Sequence, residues 1–246
     1  DVWLFDDQGR RFLDAYNNVP IVGHGNPNVV KALSEQAATL CTHTRYLHHL
    51  ILDYAEQLLS YFPSDLDRLM LTCTGSEAND LAIRIAQAAT NGQGIVVTRN
   101  AYHGVSHLLA QLSPSLAPVS NFVRVIDPPK TDANFESEKE RLGREVHDAF
   151  ADLMAHNIQP CALLLDTIFA SDGIYPAMKG VLDDAVTATH AAGALVIIDE
   201  VQTGFARLGS DWWGFKTVGV EPDIVTMGKP MGNGYPIAGV VTKDEL

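Results

Sequence analysis

The chain has 246 residues, 46% of them hydrophobic and 19% charged, enough for one to two domains of about 150 residues around a packed core. That balance excludes disorder, collagen-like repeats and low-complexity architectures. Its 17 basic against 30 acidic residues leave a net charge of −13 with no basic cluster, so a polyphosphate backbone would be repelled and nucleic acid is excluded as a partner. The longest apolar runs, around 161–165 and 191–198, fall short of the roughly 20 residues of a membrane span, and the opening from Asp1 shows no signal peptide. A cytoplasmic protein is expected, with Cys41, Cys73 and Cys161 read as buried thiols in a reducing compartment, because each lies in an apolar or strand-like context without CxxC spacing.

In chain order, residues 3–5 and 11–13 flank Asp6-Asp7-Gln8-Gly9 and predict a hairpin with Asp/Gly turn chemistry. Strand-like runs follow at 69–73, 94–98, 122–126, 162–165, 195–198 and 223–226, separated by segments of helical period. Ala78, Leu81, Ala82, Ile85, Ala86 and Ala89 form one predicted helix face, and a longer polar helix over 136–157 carries Leu142, Val146, Phe150, Leu153 and Met154 on one side. Strand alternating with helix predicts an α/β fold with a mostly parallel sheet covered on both faces, and 195–198, apolar at every position, suits a central strand. Trp212, Trp213 and Phe215 read as packing. No period of 20 to 50 residues repeats, so two units are expected: a hairpin segment over 1–27 and one large domain over 28–246.

In such a sheet, ligands collect beyond the carboxyl ends of the strands. Three places there could carry chemistry. At Thr74-Gly75-Ser76-Glu77 a strand runs into a helix through small residues, which suits an anion at the helix start and equally suits a capping box from Thr74 to Glu77. Asp199-Glu200 puts two carboxylates at the mouth of an apolar strand, a costly placement unless a cation faces them, although Asp199 could also cap the next turn. Lys229, one of seven lysines, stands between Gly228 and Pro230 on a strand-end loop. A free lysine is neutral in only about 1 in 2,500 molecules at pH 7, so a nucleophilic lysine needs a desolvated pocket or a Schiff base; a surface lysine is the plainer reading, but the surrounding glycines imply close approach of the backbone to another group.

Other motifs fail. Gly23-His24-Gly25 lacks the third glycine of a dinucleotide fingerprint, Gly228-Lys229 is followed by Pro230 where a P-loop needs Ser or Thr, and 104–108 misses the nucleophile elbow. His43, His48 and His49 have no Cys or carboxylate at ligand spacing, so a helix surface is favoured and no metal is expected.

An anion cradle, a carboxylate for a cation and an isolated lysine together match the phosphate, pyridinium nitrogen and aldehyde of pyridoxal 5′-phosphate (PLP). With Thr74-Gly75-Ser76-Glu77-Ala78-Asn79, Ala101-Tyr102-His103-Gly104, residues 199–209 (Asp199-Glu200-Val201-Gln202 onward) and Pro222-Asp223-Ile224-Val225-Thr226-Met227-Gly228-Lys229, the chain resembles the class III, omega-amino-acid type, aminotransferases of the fold type I PLP-dependent transferases. The resemblance implies that Lys229 forms the internal aldimine and later shuttles a proton. Asp199 would pair with the pyridinium N1, Gln202 would bond the phenolic oxygen, and Val201 and Tyr102 would flank the ring. Gly75 and Ser76 would hold the phosphate, His103 would stand near the cofactor, and Tyr16 and Asn18 would face substrate. It also implies a homodimer with the active site at the interface, and a C-terminal small domain not found in this chain, which ends 17 residues after Lys229 and is therefore expected to be part of a longer protein.

Amino transfer from an amine or amino acid to an oxo acid is the leading expectation. Ser171, followed by Asp172-Gly173, stands where ornithine-type members carry an acidic switch residue, which disfavours that mechanism. The wording at 44–48 (Thr44-Arg45-Tyr46-Leu47-His48) and at 228–234 resembles the branch of ethanolamine-phosphate phospho-lyases, so elimination of phosphate from a phosphorylated amino alcohol is a second expectation. A catalytically silent domain of a larger protein is the third.

Overall fold

The computed structural model describes residues 1–43, 45–176 and 178–246. The hairpin forms as expected, β1 (Trp3–Phe5) against β2 (Arg11–Leu13), its turn held by Asp6 Oδ1, which accepts from the backbone N–H of Gln8 and Arg10. Next come α1 (Pro27–Thr39) and α2 (His49–Leu59). Asn26 caps α1 and Pro27 opens it, a pairing suited to a helix start.

The remaining chain alternates: β3 (Arg68–Thr72), α3 (Gly75–Thr90), β4 (Gly94–Thr98), α4 (His107–Ala110), β5 (Val123–Ile126), α5 (Phe135–Ala155), β6 (Pro160–Leu165), α6 (Asp183–Ala191), β7 (Leu195–Asp199), α7 (Gly214–Val218), β8 (Ile224–Met227), a 3-10 turn (Lys229–Gly232) and β9 (Ala238–Thr242). Among the described residues the large sheet has seven strands in the order β3-β9-β8-β7-β6-β4-β5. Strands β8, β7, β6, β4 and β5 are parallel neighbours, whereas β9 runs antiparallel to both β3 and β8. β7 stands in the middle, which is why 195–198 carries no polar side chain.

Alternation along the parallel strands divides the core in two. Val96, Leu163, Leu165, Val196, Ile198 and Val225 pack with α5 residues Leu142, Val146, Phe150 and Leu153 and with Ala185 of α6. Ile95, Val97, Leu164, Ile197 and Ile224 pack on the other side against Ala78, Ala82, Ile83 and Ala86 of α3. Burying each such aliphatic side chain stabilises the fold by about 1.5–3 kcal/mol. Both faces of the sheet are thus covered, and the mouth of the parallel strands stays open at their carboxyl ends.

Several sequence expectations are corrected. Cys161 is buried, but Cys41 and Cys73 are exposed: Cys73 lies past the end of β3, an edge strand whose Met70 and Leu71 are also exposed. Met154 is exposed because it points away from the stripe that ends at Leu153. On α3 the buried face is Ala78, Asn79, Ala82, Ile83 and Ala86, while Ala89 is exposed. Of the three histidines assigned to a helix surface, His49 begins α2, His48 caps it through Nδ1, and His43 precedes the helix. Trp213 and Phe215 are fully buried packing residues, but Trp212 is exposed and stacks on Tyr61. Among the described residues no helix is long and apolar enough to cross a membrane.

Candidate active site

Five strand-to-loop junctions of the sheet converge on one cleft of about 140 Å³. The turn after β3 contributes Thr74, Gly75 and Ser76, with Asn79 one helical turn on; the loop after β4 contributes Tyr102, His103 and Gly104; β6 gives Asp166, β7 gives Asp199, Val201 and Gln202, and β8 gives Lys229. These strands end at one edge because they run parallel, so residues more than 150 positions apart meet without special folding.

Asp199 organises the floor. Its Oδ2 accepts from His103 Nδ1 at 2.8 Å and Asn79 Nδ2 at 2.8 Å, and its Oδ1 accepts from Val201 N at 3.0 Å. Three donors converge on this one buried carboxylate and fix its orientation. Asp199 therefore caps the following turn and also lines the cleft. Asn79 is held in turn: Thr226 Oγ1 donates to its Oδ1 at 2.6 Å, and its Nδ2 also reaches the His103 carbonyl at 2.9 Å. His103 Nε2, buried beside the cleft, has no partner among the described residues.

Lys229 lies across from this floor at the first position of its 3-10 turn, with φ of +39°, a left-handed conformation costing a non-glycine residue about 1–3 kcal/mol and typical of functional sites. Burial holds its ammonium below the ordinary lysine range, opposed by the negative charges of Asp199 and Asp166. Asp166 is pushed up to about 6, chiefly by burial and then by the neighbouring Asp199 charge, against the N–H groups of Ile168 and Ala170 that its carboxylate accepts.

At the helix start, both readings of the Thr74 turn hold. Thr74 Oγ1 accepts from Glu77 N at 3.1 Å and Glu77 Oε2 accepts from Thr74 N at 2.9 Å, a complete capping box, while Gly75 and Ser76 of the same turn line the cleft. A Cβ on Gly75 would stand 3.0 Å from both methyl groups of Val201, so the glycine allows the two walls to close together. Ser76 Oγ accepts from Val105 N at 3.1 Å, tying the helix start to the loop that carries Tyr102 and His103.

Among the expected site residues, Lys229, Asp199, Gly75, Ser76, Tyr102, His103, Val201 and Gln202 all meet in the cleft. Asn18 does not line it but donates its side-chain amide to Gln202 Oε1, and its carbonyl accepts from Arg207 at 3.1 Å. Tyr16 stands apart, 97% exposed. Ser171 is outside the lining, and the neighbouring Asp172 ties its loop to β4 by accepting from Thr98 Oγ1 and Asn100 N. Thr44 falls outside the described residues. Asp166 and Thr226 were not singled out by sequence reasoning, and Asn79 had no role; a polar residue inside the apolar face of α3 was the available signal for the last. Among the described residues no group of three His, Cys, Asp or Glu side chains stands close enough to hold a metal ion.

A protein-family model for class-III aminotransferases matches residues 1–246. The chain is 37% identical over 252 residues to an alanine–glyoxylate aminotransferase 2 homolog of Arabidopsis thaliana, covering 99% of this chain and 52% of that protein. It is 35% identical over 266 residues to ethanolamine-phosphate phospho-lyase homolog 1 of Caenorhabditis elegans, covering 99% and 57%. A solved phospholyase from Arthrobacter, in complex with phosphoethanolamine, is 44% identical with a TM-score of 0.94, covering 99% of this chain and 60% of that one. The chain thus spans somewhat more than half the length of the relatives it matches. With the family model matching from the first residue to the last, over a cleft built from the turn, carboxylate and lysine junctions, the chain belongs to the class-III aminotransferase family.

Proposed function

We propose that the chain is the PLP-binding large domain of an enzyme that acts at the carbon bearing a primary amine, with amino transfer to an oxo acid as its reaction. The observation that carries this reading is the placement of Lys229 across one cleft from Asp199, with the start of α3 beside them. The residues fit the cofactor: a buried carboxylate with three donors suits a protonated ring nitrogen, the Gly75–Val201 approach leaves room that a side chain would fill, and the helix start suits a phosphate.

Bound PLP supplies an aldehyde that condenses with amines and a ring that withdraws electrons from the adjoining carbon. The chain's own residues supply the rest. Lys229 Nζ, kept below its ordinary pKa by burial, is available as the nucleophile and afterwards as the base that takes and returns a proton at the substrate carbon. Asp199 would pair with the protonated ring nitrogen, and Asn79 and His103 hold its carboxylate in place. Gly75 and Ser76 would bind the phosphate, Val201 and Tyr102 would flank the ring, Gln202 would donate to its phenolic oxygen, and Asn18, bonded to Gln202, would face substrate together with the exposed Tyr16 of the same segment.

A second reading is elimination of phosphate from a phosphorylated amino alcohol. It is favoured by the 44% identity to a phospholyase solved with phosphoethanolamine. Absorbance of the protein with PLP tests both. A visible band that amino donors bleach and an oxo acid restores is expected for transfer; phosphate release from phosphoethanolamine without an oxo acid supports elimination. No band, and none lost in Lys229→Ala, would overturn the cofactor reading and leave a catalytically silent domain.

Homodimerisation belongs to the same proposal. Support comes from the apolar residues left exposed near the N-terminus, among them Phe5, Phe12, Leu13, Leu50, Ile51 and Leu52, and from α1, which buries no residue. Sedimentation at micromolar concentration tests it. The proposed compartment is the cytoplasm, whose reducing potential suits the exposed Cys41 and Cys73 thiols; cell fractionation is the check.

A further inference from the structure

Glu200 follows the cofactor-facing Asp199 and is completely buried, yet the chemistry proposed above does not use it. Adjacent residues of a strand point to opposite sides, so Asp199 faces the cleft and Glu200 the interior behind it. There one carboxylate takes three donors: Thr203 Oγ1 at 2.7 Å and Gly214 N at 2.9 Å on Oε2, and Phe215 N at 2.7 Å on Oε1. Thr203 lies near the start of the segment that leaves β7, and Gly214 and Phe215 lie just past its end.

The segment between is bent in a way it would not hold alone. Phe205 and Ala206 both have φ of +59°, left-handed values without glycine to allow them. Its two ends are crowded together as well: a Cβ on Gly214 would fall 3.0 Å from Thr203 Cβ and 3.2 Å from Glu200 Oε1. The first two residues of this segment, Val201 and Gln202, form one wall of the cleft. Burial pushes the Glu200 carboxyl up to about 7 despite its donors, so the interaction is maintained at a desolvation cost and not for charge stability alone.

We infer that Glu200 is a positioning residue: its buried carboxylate staples both ends of the 201–213 segment and thereby fixes Gln202 and Val201 against the cofactor ring. This rests on the PLP reading. A glutamine at 200 keeps the shape but offers one acceptor oxygen and two N–H groups to donors, which releases the staple.

The test uses the 246-residue chain, and measures PLP affinity by absorbance titration together with backbone amide exchange without cofactor. Glu200→Gln is expected to raise amide exchange across 201–204 and to weaken PLP about tenfold, the equivalent of a hydrogen bond to a charged group. A cycle with Gln202→Ala separates positioning from general destabilisation: the Gln202 substitution weakens PLP about tenfold in the parent and less than about twofold beside Glu200→Gln. Equal factors in both backgrounds, or unchanged exchange, overturn the proposal. Should Glu200→Gln not fold, Thr203→Val removes one donor only and is expected to reduce the Gln202 factor by about threefold; an undiminished factor overturns it. A parent chain that binds no PLP defeats the functional reading alone, because the exchange comparison still decides whether Glu200 holds the segment.

Discussion

His103 donates its Nδ1 proton to Oδ2 of Asp199 across 2.8 Å, and both side chains are almost wholly removed from solvent. A carboxylate is an acceptor only, so this contact places the proton on Nδ1 and fixes the ring. His103→Phe keeps an aromatic ring and removes the donor, leaving Asp199 with Asn79 and Val201 N. PLP affinity is expected to fall about tenfold, a hydrogen bond to a charged group. Titration by visible absorbance checks this, and an affinity unchanged from the parent would refute the role given to the pair.

Asn79 joins two strands to a helix by bonding Asp199 of β7 and accepting from Thr226 of β8. Asn79→Ala strands both partners in a buried setting, which costs about 1–3 kcal/mol for each unsatisfied group. Urea unfolding should show that loss. In a cycle with Thr226→Val the two changes should be less than additive, because they share one contact.

Gly214 is required by space, not by dihedral freedom. A Cβ there would meet Thr167 Oγ1 at 2.1 Å, and that hydroxyl is itself buried without a partner among the described residues. Gly214→Ala is expected to destabilise the chain by about 1–3 kcal/mol, as overpacking does. Adding Thr167→Ala should recover part of the loss. A double variant less stable than Gly214→Ala alone would show that the hydroxyl is not the obstacle.

Two carboxylates should respond to pH in opposite senses. The Arg141 guanidinium holds Glu138 below its ordinary value of 4.5, despite burial. Its contribution to stability is thus complete above that value and lost as pH falls through the lower folded one. Asp166 runs the other way: raised from 3.8 to about 6, it costs stability as pH rises across that interval. Urea midpoints at several pH values, compared with Glu138→Gln and Asp166→Asn, should show the parent's advantage over the first shrinking in acid and its disadvantage to the second growing from pH 4 to 6.

The parallel strands were legible because fully buried strands are written as short apolar runs; 94–98 was found at its exact ends and others within a residue or two. Burial at the sheet edge was not. Leu71-Thr72-Cys73 looks as apolar as a central strand, but β3 has a neighbour on one side only, so its local composition misstates its exposure. In the cleft, Lys229 and Asp199 were found because their chemistry is conspicuous out of context. Asp166 and Thr226 were missed because each matters only through a partner far along the chain, a relationship no local pattern records, whereas Asn79 left one local sign, a polar residue on the buried face of α3, that does not by itself reveal its partners.

The reversed direction of β9 has its own mechanical result. The chain from β8 to β9 passes through Lys229 and returns beside the strand it left, with Met227 opposite Gly239 and Thr226 opposite Val240. On its far side β9 is zipped to β3 over five positions, Thr72 to Arg68. The lysine therefore sits at the apex of a bridge whose two piers are bolted to each other and, through β9, to the edge of the sheet. Its backbone has little travel, and Nζ can move only as far as its own four-carbon arm swings. Whatever opens to admit a cofactor or substrate has to be the opposite bank, where Asn18, Gln202 and Arg207 are joined by two hydrogen bonds, each from a side-chain donor.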